Sequence, residues 1–123
     1  MNDDLKCIIY TTFERYNKIE RIWCPILHEY VYFGSRGRLH LIYKGNRKKR
    51  PSKEQLYKLK LFSMVPSAIR NAIAIKEVRC MSNGIEFFAI IGESRQNKKK
   101  LRVIIRKTMN GRYSYHSVML ENK

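Results

Sequence analysis

The most regular hydrophobic pattern lies in the second half of the chain. Residues 85–91 (IEFFAII), 101–106 (LRVIIR) and 113–119 (YSYHSVM) are short runs rich in β-branched and aromatic side chains. Residues 75–80 form a weaker run in front of them. Asn83-Gly84 and Asn110-Gly111 stand between runs, and Asn-Gly suits a type I′ turn, in which both central residues take positive φ. A longer polar loop, residues 92–100 (GESRQNKKK), separates the run 85–91 from the run 101–106. The pattern predicts a four-stranded antiparallel meander over residues 75–119, with everything upstream packed on that sheet or building a site against it.

Upstream, residues 5–13 (LKCIIYTTF) and 18–23 (KIERIW) read as strands around the polar turn 14–17, and residues 29–33 (EYVYF) read as another. Cys24-Pro25 interrupts between them, because proline cannot donate to a ladder. Residues 1–30 are therefore expected to form an N-terminal hairpin segment attached to a domain over 31–123. Residues 34–37 are a turn, and Ser35 is expected to cap a short helix running to about Lys44, weakened by Gly37. Residues 45–51 (GNRKKRP) are a basic loop. Ser52 with Gln55 three residues on has the arrangement of a capping box, and Leu56, Leu59 and Phe62 follow at helical spacing. Pro66 suits the first turn of a further helix over 65–72, buried through Ala68, Ile69 and Ala72. Helices followed by a meander give an α+β fold.

Composition sharpens the picture through charge. Twenty-six Lys and Arg against ten Asp and Glu give +16. Residues 1–34 hold four basic and five acidic side chains, whereas residues 35–119 hold 21 basic and four acidic, a net of +17. A polyanion is the natural partner, and nucleic acid is the commonest one. A membrane surface is not expected, since no clean basic amphipathic helix is visible. Cys7, Cys24 and Cys80 are an odd set without a Cys-x-x-Cys pair, which suits buried small hydrophobes in a reducing cytoplasm better than a zinc site or a disulfide framework. The opening residues carry Asp3 and Asp4 instead of a basic, apolar leader.

Arg47, Lys48, Lys49 and Arg50 in the basic loop, and Lys98, Lys99 and Lys100, are candidate phosphate contacts, although a charge run also serves as a solvated face. His28, His40 and His116 are the chain's histidines. His40 stands out because Arg36, Arg38, Lys44 and Arg47 are its sequence neighbours and few carboxylates compete; imidazole is the side chain suited to proton transfer near neutral pH. Histidines at metal-ligand spacing and acidic clusters are both missing, so no metal or other cofactor is expected. Strict alternation in the last run puts Tyr113, Tyr115, Ser117 and Met119 on one face and Ser114, His116 and Val118 on the other. Arg106, inside an apolar strand, needs a partner or an opening to water. A guanidinium and a hydroxyl on adjacent strands would cradle a phosphate.

The segments at 31–34 (VYFG), 37–40 (GRLH), Lys44-Gly45, 101–106 (LRVIIR) and 115–119 (YHSVM) resemble the small phage-associated nuclease domains of the barnase, EndoU, colicin and RelE-like group, the BECR fold. The resemblance covers roughly residues 31–119 and leaves the first thirty outside. It implies an endoribonuclease that needs no metal. His40 matches the family's histidine before the helices, Ser117 the hydroxyl of the last strand, and Arg106 and Lys44 further site positions. The expected reaction is attack of the ribose 2′-OH on the adjacent phosphate. His40 would be base or acid, Arg106 and Lys44 would stabilise charge, Ser117 would position an oxygen, and Tyr115 would stack on a base or complete the hydrogen bonding. RNA is the expected partner; a toxin or mobile-element effector of this kind also implies an acidic immunity or antitoxin protein. The alternatives are a non-catalytic nucleic-acid-binding module and an interaction domain for an acidic protein.

Overall fold

A computed structural model describes residues 2–44, 48–95 and 97–121, excluding the side chains of Asn2 and Asp3. The chain opens with helix α1 (Asn2–Lys18), strands β1 (Arg21–Cys24) and β2 (Glu29–Tyr32), helix α2 (Ser35–His40), and the short strands β3 (Tyr43–Lys44) and β4 (Lys48–Lys49). Helices α3 (Ser52–Phe62) and α4 (Val65–Arg70) lead into four long strands: β5 (Ala72–Cys80), β6 (Glu86–Glu93), β7 (Lys100–Lys107) and β8 (Tyr113–Leu120).

The first segment departs from expectation. Residues 5–13 are helical, and no hairpin turns at residues 14–17. Leu5, Ile9 and Phe13 are spaced by four and partly buried against the core, followed by the buried Tyr16. That is a helix face; the β-branched Ile8, Ile9, Thr11 and Thr12 had raised the strand expectation. The N-terminal hairpin is instead β1–β2, with Ile22 opposite Val31. It turns at residues 25–28, where His28 has φ of 56° and its N–H donates to the Cys24 carbonyl at 2.9 Å. Pro25 sits just past β1, where its missing N–H costs no ladder bond.

Strands β5 to β8 pair in succession, antiparallel throughout. They are not a separate four-stranded sheet. The sheet has six strands in the order β1-β2-β8-β7-β6-β5, and it is mixed, because β2 joins β8 in parallel through Val31–Tyr113 and Tyr32–Ser114. A two-stranded hairpin cannot bury its own apolar face; joining β8 gives Val31, Ile22 and Cys24 a place in the core that also holds Leu101, Val103 and Ile105. Helices α3 and α4 cover that face with Leu59, Phe62, Ala68 and Ile69. Along β7 the buried Leu101, Val103 and Ile105 alternate with the partly open Arg102, Ile104 and Arg106, which face away from the helices.

Local details correct several expectations. Helix α2 ends at His40, before Lys44, and Gly34 caps it without help from a side chain. Helix α3 begins at Ser52, but its cap is Pro51 and no capping box forms; Gln55 is buried and its Nε2 donates to the Arg50 carbonyl at 2.7 Å. Helix α4 has Pro66 in its first turn and gives way to β5 at Ala72. The Asn-Gly turns are not type I′. Only the glycines have positive φ, 85° at Gly84 and 86° at Gly111. In each loop the glycine N–H donates to the carbonyl three residues back, Met81 or Thr108. This is a three-residue hairpin loop with glycine in the left-handed position. Asn83 and Asn110 serve by side chain, their Oδ1 accepting from the N–H groups of Ile85 and Arg112, each at 3.1 Å.

Candidate functional site

Among the described residues, β8 has no strand on its β2 side beyond Ser114, and helices α2 and α3 take up that edge. Gly37 permits the approach of α2: a Cβ there would lie 2.5 Å from the Tyr115 carbonyl oxygen and 2.7 Å from the Tyr16 hydroxyl. From α3, Lys58 Nζ donates to the Val118 carbonyl at 2.6 Å. At this edge β8 carries a bulge. Ile104 opposes Ser117 and Ile105 opposes Tyr115, so His116 is the extra residue. Bulges re-aim side chains, and this one brings His116 against the last residue of α2: the rings of His40 and His116 are 4.6 Å apart, centroid to centroid, at 45°.

His40 is held from behind by Arg50. The guanidinium Nε donates to the His40 carbonyl at 3.1 Å, and Nη2 lies 3.3 Å from His40 Nδ1. Arginine only donates, so Nδ1 accepts and the neutral ring carries its proton on Nε2. Arg50 is 7% exposed and also donates to Glu54. Glu54 receives a second cation, Lys44, at 3.5 Å. The hydrogen bond from Arg50 is the main reason its carboxyl stays below the usual range.

Several cations surround the pair. Burial, then the charges of Arg50 and Lys58, pushes the His40 pKa down. Burial, then His40, Arg106 and Arg36, brings His116 down to about 4. Burial also lowers Lys58 and Arg106, with Arg50 and Arg36 respectively adding to the effect. Both imidazoles are therefore neutral at pH 7 and ready to accept protons. The Nδ1 of His116 is buried without a hydrogen-bond partner among the described residues. An anion placed here would relieve the repulsion and raise both pKa values.

The residues singled out from sequence fare differently. His40 is central, and Arg106 and Arg36 are close enough to His116 to depress its pKa. Lys44 stands at the rim, paired with Glu54. Ser117 is 6% exposed and in register with Ile104; His116, not Ser117, meets the His40 ring. Tyr115 is 2% exposed, stacked on Phe33 at 5.4 Å with Tyr16 and Phe62 around it, so it offers no face to a base. The bulge explains both outcomes, because it breaks the strict alternation and sends Tyr115 to the core and Ser117 and Met119 to the opposite face.

Arg38 braces α1, donating to Asn17 Oδ1 at 2.8 Å with its guanidinium over the Phe13 ring. Arg50 is a buried organiser, not a loop contact. Lys48 and Lys49 are exposed on β4, while Arg47 lies outside the described residues. Lys98, Lys99 and Lys100 are exposed at the other end of the meander; at roughly 3.3 Å per residue, Lys100 is about 20 Å from Arg106 along β7. His116 and Lys58 were not selected from sequence. The polar residues around His116 in an otherwise apolar region were a usable signal; Lys58 looks like any helical lysine.

Among the described residues, no group of three or more His, Cys, Asp or Glu side chains is placed to hold a metal ion, and no helix is long and apolar enough to cross a membrane. Comparison of the chain with family models, curated proteins and solved structures finds no match.

Proposed function

We propose that this chain is an endoribonuclease that cleaves RNA by attack of the ribose 2′-OH on the adjacent phosphodiester. The paired imidazoles of His40 and His116 in a cationic setting carry this assignment. His116, with the more strongly depressed pKa, is the base that takes the 2′-OH proton. The 2′ oxygen attacks phosphorus, and the O5′ leaving group takes a proton from His40, whose pKa the bound phosphate raises. The products are a 2′,3′-cyclic phosphate and a 5′-hydroxyl. Arg106 and Arg36 meet the charge that grows on the phosphoryl oxygens. Arg50 fixes the orientation of His40, and Lys44 adds positive potential at the rim. Tyr115 has a structural part in the core. No step is routed through a metal.

The BECR resemblance agrees with this chemistry in its histidine and its basic residues. A cytoplasmic toxin or phage-associated effector fits the charge, and an acidic immunity or antitoxin protein would complement the same surface. The exposed Lys48 and Lys49, together with Lys98 to Lys100 at the other end of the meander, favour the second reading of a binding module without catalysis. Incubation with mixed RNA in EDTA separates the two. Cleavage to cyclic phosphate ends that fails in His40→Ala and His116→Ala supports the nuclease. Binding without cleavage supports the module.

A further inference from the structure

The sheet face turned away from the helices has a hollow of about 340 Å³, and His116 forms part of its wall. Strand register explains its shape. Glu77, Ala89 and Ile104 stand in one row across β5, β6 and β7; Arg79, Phe87 and Arg106 stand in the next. Ala89 is the small side chain in the middle, so the floor drops there. Phe87 rises beside it and meets the His116 ring edge-on, with centroids 5.0 Å apart at 65°. Met119 and Arg102 close the other side. The rim arginines are already compensated: Arg79 pairs with Glu77 at 2.9 Å, and Arg102 with Glu121 at 3.0 Å. The hollow thus differs from the surroundings of the His40–His116 pair, where Arg36, Arg106 and Lys58 have no carboxylate partner among the described residues. An apolar floor, an aromatic wall and a neutralised rim suit a flat neutral ring better than a second phosphate.

We propose that this hollow is a nucleobase subsite, holding against Phe87 the base of a nucleotide whose phosphate lies beside the His40–His116 pair. The inference rests on the ribonuclease proposal for the phosphate position, not for cleavage. Its test uses the full chain at low salt, with calorimetry of four 3′-nucleoside monophosphates, ribose 3-phosphate and inorganic phosphate. Stacking of a base should make the nucleotides bind about tenfold or more tightly than ribose 3-phosphate. Phe87→Ala should erase that advantage, Phe87→Tyr should keep it, and Ala89→Leu should erase it by filling the floor; ribose 3-phosphate should bind all variants alike. Equal affinity for nucleotides and ribose 3-phosphate, or an advantage that survives both Phe87→Ala and Ala89→Leu, overturns the subsite. If the base advantage holds but RNA is never cleaved, the ribonuclease assignment falls and the subsite stands. If RNA is cleaved without a base advantage, the reverse is true.

Discussion

The rings of His40 and His116 face one another at 4.6 Å although they stand 76 positions apart in the chain. Two imidazoles this close cannot both be protonated cheaply, and burial disfavours even one charge. The pair is thus poised for an anion, whose arrival lets one ring hold a proton while the other accepts one.

The proposed ribonuclease needs each ring for turnover. His40→Ala and His116→Ala are each expected to lower turnover by about 10²–10⁴-fold with RNA binding nearly intact. The double variant should be little worse than either single one, because the two act as a unit. Arg106→Ala should weaken both binding and turnover; Ser117→Ala should do little. EDTA should have no effect, and a 2′-deoxy sugar at the scissile position should resist cleavage. Cleavage of that deoxy substrate at a comparable rate would rule out 2′-OH attack.

The depressed pKa values set the pH profile. In the proposed mechanism the base His116 must be neutral, which holds above about 4, and the acid His40 must be protonated, which holds below a pKa itself lowered from 6.5. The kcat/KM of the free enzyme should be bell-shaped with its maximum on the acid side of neutrality. The kcat profile should lie at higher pH, because bound phosphate raises both histidines. Coincident profiles would mean that no anion binds beside the two rings.

Stability should follow the same sign. The folded state binds fewer protons than the unfolded chain between about 4 and 6.5, so stability is full above 6.5 and falls as the pH drops towards 4. The loss is on the order of 2 kcal/mol, and His116→Gln should remove much of it. Thermal melts of the two proteins across this window check the assignment.

Glycine has a different task in the turn and at the helix. Gly111 has φ of 86°, so Gly111→Val should cost about 1–2 kcal/mol while leaving the chemistry of the remaining folded protein unchanged. Gly37→Ala should cost about 1–3 kcal/mol and also lower activity, since it pushes α2 and His40 off the β8 edge. Melting curves and turnover measured together distinguish the two effects.

Phosphate contacts from β4 can be counted by salt dependence. Neutralising the exposed Lys48 and Lys49 should reduce the log–log slope of RNA binding by roughly 1–2 units. Arg50→Gln should act otherwise, disturbing His40 and lowering turnover more than it changes the slope. An unchanged slope in the Lys48 and Lys49 variants would place the RNA elsewhere.

Local periodicity was enough to reveal β5 to β8, α3, α4 and the α+β class, because strands and helices each impose their own spacing on apolar residues. Charge pointed to a polyanion, and the basic neighbours of His40 marked one half of the candidate site. The sequence was ambiguous at residues 5–13, where β-branched side chains argued for a strand and the spacing of Leu5, Ile9 and Phe13 for a helix; burial of Tyr16 against Phe33, Phe62 and Tyr115 supports the helix. Three features belong to tertiary structure alone: the parallel joint of β2 to β8, the bulge at His116, and the burial of Arg50 behind His40. Each depends on which distant backbone comes alongside, and a one-residue shift in register exchanges the faces of a strand. That is why Tyr115 belongs to the core, why Ser117 does not meet the His40 ring, and why the second histidine of the pair emerged only once β8 had its neighbours.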